Sequence, residues 1–276
     1  AYPSGWRERS LLGDCWVPAF IEGWSIIQIG MLASVCAGLA TGLGGLPVFA
    51  ARKITSQARD GMLGFAAGVM LAATSFSLIV PAMEYAGGGL SAVTVVAVGM
   101  LVGAVFLDLV DRYSPHRHFV KGPEGLVSSS LTRIWLFVIA ITIHNFPEGL
   151  AVGVGFGGGD LGNGVALAIG IGLQNVPEGL AVALALLGEN YSRGRAFLVA
   201  LLTGLVEHVG GFLGLAIVQW MQEILPYGLA FAAGAMLFVI SDEIIPETHR
   251  KGHERIATYA VVIGFLVMMF LDNTLG

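Results

Sequence analysis

Two short stretches carry the groups in this chain best suited to chemistry. His144-Asn145-Phe146-Pro147-Glu148-Gly149 recurs thirty residues later as Gln174-Asn175-Val176-Pro177-Glu178-Gly179. On a helix, His144 and Glu148 are i, i+4 neighbours on one face, as are Gln174 and Glu178. Asn145 and Asn175 stand i, i+3 to the glutamates and flank the same stripe. An imidazole nitrogen with carboxylate and amide oxygens suits a divalent ion such as Zn2+, Cd2+, Mn2+ or Fe2+. No cysteine lies in the cluster, so there is no thiolate trap, and a mixed oxygen and nitrogen set lets an ion leave as well as bind.

Both stretches sit in the middle of long apolar runs, and Glu207 and His208 lie well inside a later one. A charged side chain at such depth costs roughly 3 kcal/mol or more unless it is paired or neutral. The runs hold no Lys or Arg near mid-depth, so a divalent cation is the economical countercharge. Three carboxylates balance one ion and most of a second, which makes room for a binuclear site. Pro147 and Pro177 each delete a backbone N–H, free the carbonyls of Ile143 and Leu173, and are expected to kink their helices. Gly149 and Gly179 let neighbouring helices come close.

Other polar residues are weaker candidates. Met70, Ser75 and Ser77 either line a path or belong to the core. Asp60, Asp242, Glu243, His249 and His253 fall at the cytoplasmic ends of their runs, where they receive departing metal or simply face water. Glu84, Asp160, Glu223 and Asp272 fall at the opposite side, and His116 and His118 sit in a polar loop.

The elements that position these groups are membrane helices. Of the 276 residues 55% are hydrophobic and only 12% charged, against about 25% charged in a soluble domain. No basic excess points to nucleic acid. A span needs roughly 20 apolar residues, and such runs occur at about 24–50, 61–85, 90–110, 131–156, 163–187, 194–219, 226–246 and 256–274. Residues 1–23, with Trp6 and Trp16, read as an extracytoplasmic interfacial segment without a signal-peptide pattern. Cys15 and Cys36 read as free thiols. The loop 112–130 is rich in Pro, Gly and Ser and reads as flexible.

Twelve of the fourteen Lys and Arg residues fall in the connections after spans 1, 3, 5 and 7, or at their edges. The positive-inside rule places these connections in the cytoplasm and both termini outside. Phe65-Ala66-Ala67-Gly68 recurs as Phe231-Ala232-Ala233-Gly234, and Gly38-Leu39 and Gly44-Gly45 recur as Gly204-Leu205 and Gly210-Gly211, all at an offset of 166. Phe106-Leu107-Asp108 recurs as Phe270-Leu271-Asp272 at 164. Spans 1–3 then mirror spans 6–8 with opposite orientation, around spans 4 and 5. The fold class is an all-α polytopic membrane protein, eight transmembrane helices in a 3+2+3 inverted repeat, with residues 24–276 as the transporter domain. Such repeats put the site near the midplane.

The His-Asn-Phe-Pro-Glu-Gly motif at 144–149 and its echo at 174–179 resemble the ZIP (Zrt/Irt-like) family of divalent metal transporters, in its bacterial GufA-like branch. The resemblance covers roughly 24–276. It implies uptake toward the cytoplasm across a bacterial inner membrane, a homodimer and an elevator-like motion of spans 1, 4, 5 and 6 against 2, 3, 7 and 8. It makes His144, Glu148, Gln174 and Glu178 ligands of a first ion. Asn145, Asn175 and Glu207, with bridging Glu148 and Glu178, hold a second. Many members have His at the position of Gln174 and an acid at that of Asn175. The expected function is transport of zinc and similar divalent ions, with no cofactor and with metal ions and lipid as partners. A metal exporter or passive channel is the alternative. An intramembrane metalloprotease is more remote, because that chemistry wants His-Glu-x-x-His on one helix.

Overall fold

A computed structural model describes residues 23–50, 54–113, 116–118, 122–124, 133–249 and 252–275. The interfacial segment expected at 1–23, Cys15, and basic residues such as Arg52 and Lys251 fall outside them, apart from Gly23.

The apolar runs become helices, and several of their starts are marked by a capping residue or a proline. Ser25 caps α1 (Ile26–Gly45) and completes a capping box with Gln28. Thr55 caps α2 (Ser56–Ala72), which continues through a π-helical turn at Ala73–Ile79 into α3 (Val80–Tyr85). After α4 (Gly89–Tyr113) and α5 (Arg133–Gly157), Asp160 caps α6 (Leu161–Gly188) and Ser192 caps α7 (Arg193–Gly204). Then follow α8 (Val206–Trp220), α9 (Leu225–Val239), a second π turn at Ile240–Ile244, α10 (Ile245–Thr248) and α11 (Glu254–Leu275). Among the described residues seven stretches are long and apolar enough to cross a membrane. Helix α5, at 25 residues, is about 37 Å long, enough for roughly 30 Å of hydrocarbon.

Three local features add to the sequence expectations. The helices α5 and α6 run without interruption through Pro147 and Pro177. π turns lie at two other segments, each followed by a proline, Pro81 or Pro246. A proline cannot donate to the carbonyl four residues back, and a widened turn absorbs the mismatch. The loop 112–130, expected to be flexible, contains a short antiparallel hairpin, β1 (His116–His118) with β2 (Gly122–Glu124).

The helices pack as parallel pairs: α5 with α8, α1 with α6, α2 with α11 and α4 with α9. Small residues make this closeness possible. Gly149 faces the carbonyl of Glu207, and Gly179 that of Thr41. Gly68 faces Val261, and Gly234 faces Met100. Gly38 and Gly204 face each other's carbonyls where α1 crosses the end of α7. The main core joins both sets of pairs through Met70, Leu78, Phe156, Ile171, Met236 and Met268. A smaller core of Val138, Val182, Leu186, Ala196 and Ala200 ties α5, α6 and α7 at one end.

A methyl group at Gly149 would collide with backbone of α8. Gly149→Ala therefore forces two helices apart and lowers stability by about 1–3 kcal/mol. Gly194→Ala, whose added carbon meets open space, is neutral or stabilising by up to about 1 kcal/mol. Thermal unfolding of both variants in detergent measures the difference, and equal melting temperatures would refute the close-packing account.

Candidate metal site

Three helices deliver the polar groups. The α5 helix brings His144, Asn145 and Glu148; α6 brings Gln174, Asn175 and Glu178; α8 brings Glu207. None of the seven is more than 4% exposed. Their convergence follows from the glycines beside them, because α5 lies on α8 at Gly149 and α6 lies on α1 at Gly179. The sixth span breaks just before Glu207, where α7 ends at Gly204 against Gly38 and Thr41. Ser34 Oγ then donates to the Glu207 carbonyl at 3.2 Å and holds the start of α8.

His144 Nε2 stands 2.8 Å from Glu243 Oε2. Asn175 Nδ2 donates to the carbonyl of Ala37 at 2.9 Å and also to Glu207 Oε1. Gln174 Nε2 donates to Asn175 Oδ1 at 3.3 Å. Glu178 lies within electrostatic reach of Glu148 and Glu243, and Glu207 within reach of Glu148 and Glu178. Both carboxylate oxygens of Glu148, both amide atoms of Asn145, Gln174 Oε1, Glu178 Oε2 and Glu207 Oε2 are buried without a hydrogen-bond partner. Buried polar atoms are normally satisfied, so these unpartnered atoms, acceptors apart from Asn145 Nδ2, set the three neighbouring helices apart from the rest of the interior. Among the described residues no three His, Cys, Asp or Glu side chains converge on one point. The acids and the imidazole alone therefore do not complete a coordination shell in this conformation.

The weaker sequence candidates scatter. Met70 is a core residue, 1% exposed. Ser77 Oγ donates to Asp272 Oδ1 at 2.6 Å, and its carbonyl accepts from Asn163. Asp60 is fully buried, 3.0 Å from His253 Nδ1 and 3.7 Å from Arg59. His249 bonds Thr248 and Thr258. Asp242 and His208 are half-buried, and His208 Nδ1 has no hydrogen-bond partner. Glu243 is the correction. It was expected at the cytoplasmic end of span 7, yet the π turn at Ile240–Ile244 turns it onto His144. Pro246, three residues on, was the available signal.

A family profile described as "ZIP Zinc transporter" matches residues 116–272. The chain is 47% identical to zinc transporter GufA of Myxococcus xanthus over 251 residues, covering 90% of this chain and 99% of that protein. It is 45% identical to zinc transporter ZIPB of Bordetella bronchiseptica, covering 93% and 85%. The chain belongs to the ZIP family. Similarity extends to human zinc transporter ZIP11, 36% identical over 93% of this chain and all of that protein. Membership makes the chain a multi-pass membrane transporter of divalent metal rather than an enzyme. Within this ZIP chain, the helices that carry His144, Glu148, Glu178 and Glu207 lie inside the matched region, and α1, which supplies Ser34, Ala37 and Thr41, lies in the part covered by the relatives.

Proposed function

We propose that this chain moves zinc and similar divalent ions across a bacterial inner membrane toward the cytoplasm, with His144, Glu148, Gln174 and Glu178 as the transport site. The observation that carries this reading is the set of orphaned acceptors on α5 and α6, buried beside three glutamates. An ion there supplies the missing countercharge and takes the imidazole from Glu243. The ion enters from the outer side, where Ser77 and Asp272 stand. It leaves past the cytoplasmic ends of α2 and α9, near Asp60, His253, Asp242 and His249. Both termini lie outside, as the Lys and Arg distribution suggests.

Two features support an inverted repeat and a sliding motion. The pairing of α1 with α6 and α5 with α8 corresponds under the 166-residue offset and the exchange of spans 4 and 5. The glycine contacts Gly68–Val261 and Gly234–Met100 correspond in the same way. They put the offset between spans 3 and 8 at 161, three residues from the one the Phe-Leu-Asp match gives. Apolar crevices separate the two groups of helices at both ends, one lined by Ala58, Met62 and Val176, the other by Val98, Val154 and Tyr227. Such crevices at both ends suit spans 1, 4, 5 and 6 sliding against 2, 3, 7 and 8. The exposed apolar face of α4, with Leu101, Val102 and Val105, is the candidate contact of a homodimer.

The test is zinc flux in proteoliposomes and in expressing cells. Rising intracellular zinc supports uptake, falling zinc supports export, and flux that never saturates supports a channel. Light scattering on the chain purified in detergent should give the mass of two chains, and a single-chain mass removes the dimer.

A further inference from the structure

We infer that the Asn175 amide occupies the place of a second ion, so that this chain works with one metal ion per protomer. The inference rests on the proposed transport site and concerns how many ions it holds. Three neighbouring carboxylates leave room for two ions, and the second would need Asn175 and Glu207 as donors. The hydrogen bonds commit the Asn175 amide in full and Glu207 through one of its two oxygens, Oε1.

Asn175 Nδ2 donates to Ala37 O at 2.9 Å and to Glu207 Oε1, and Asn175 Oδ1 accepts from Gln174 Nε2 at 3.3 Å. The orientation of the amide follows from its partners. The carbonyl of Ala37 can only accept, so the NH2 end must face it. Turned over, the amide oxygen would confront a carbonyl oxygen and a carboxylate oxygen together. An amide NH2 presents protons, with no lone pair for a metal. The side that faces Glu207 is therefore a donor face, and it fills the position from which a cation would reach Glu207 Oε1.

The two motif copies differ at this point. Asn145 keeps both amide atoms buried and unpartnered, ready to offer Oδ1 to an ion. Asn175, thirty residues on, uses both N–H groups and its oxygen within the protein. Glu207 is fixed from its backbone as well, since Ser34 holds its carbonyl and Gly38 packs beside its Cβ. With Glu207 Oε1 taken and only its Oε2 left open, the carboxylates free of any hydrogen bond to Asn175 are those of Glu148 and Glu178, which balance one divalent charge. A carboxylate at position 175 would replace the donor by acceptors, repel Glu207 and need a second cation between them.

The experiment counts Zn2+ bound to the purified full chain in detergent by equilibrium dialysis, followed by elemental analysis. The expected result is one ion per protomer for the natural chain and two for Asn175→Asp, the added ion being lost in Asn175→Asp/Glu207→Gln. Two ions on the natural chain overturn the inference, as does a folded Asn175→Asp that still binds one. If Asn175→Asp does not fold, the count on the natural chain decides by itself. Glu178→Ala separates the two layers of argument. A count that stays at one in that variant overturns the transport-site reading, and the inference falls with it.

Discussion

Glu178→Ala lowers zinc uptake into proteoliposomes by about 100-fold or more, and Glu148→Ala does the same. Loss of a group that merely supports a ligand costs roughly 10–100-fold in metal affinity, and these residues are proposed to touch the ion. Both are buried, at 4% and 1% exposure, and orphaned oxygens remain on each. Removing either leaves one carboxylate against a divalent charge in a low-dielectric interior, where the missing negative charge weighs far more than it would in water. The fold should survive, because alanine fits a helix and relieves repulsion among Glu148, Glu178 and Glu207. Melting temperature therefore stays the same or rises while flux collapses. Uptake near the natural rate in both variants would remove these glutamates from the site.

Much of the frame was legible in advance. Each apolar run matched a helix to within a few residues, because length and the absence of charge leave a membrane segment few alternatives. The acids, the imidazole and the amides of the repeated motif lie buried on neighbouring helices because their helical spacing fixes a face and the glycines fix the neighbour. The reach of Glu243 to His144 was not legible. It depends on a π turn, which shifts the helical phase by one residue and leaves hydropathy unchanged. The saturation of Asn175 was equally hidden. Its three partners lie on α1, α8 and its own helix, and no linear pattern says that Ala37 will offer a carbonyl. The break between α7 and α8 falls at Gly204-Leu205, where glycine hinted at close approach to α1 and the resulting aim of Glu207 came only with the packing.

His144→Gln makes the two motif copies alike in their donor positions, and it should change which ion the chain prefers. Imidazole favours zinc and related borderline ions, whereas carboxylate and carbonyl oxygens suit Mn2+ better. Replacing the ring by an amide leaves an all-oxygen set of Glu148, Gln174, Glu178 and the new Gln. Zinc uptake then falls by about 100-fold, a ligand's share on the same scale, while Mn2+ uptake falls by less than about 10-fold. The ratio of the two, measured by competition in one vesicle preparation, shifts at least tenfold. Glutamine is the informative replacement because its NH2 group can still face Glu243, whose Oε2 stands 2.8 Å from His144 Nε2 in the natural chain. That contact crosses between the two groups of helices, α5 on one side and the π turn after α9 on the other. Alanine would remove both the ligand and the contact, and a loss of flux could then come from either. With glutamine the contact persists and the ligand changes, so an altered zinc-to-manganese ratio reports coordination alone. An unaltered ratio would mean that His144 serves Glu243 and never meets the ion.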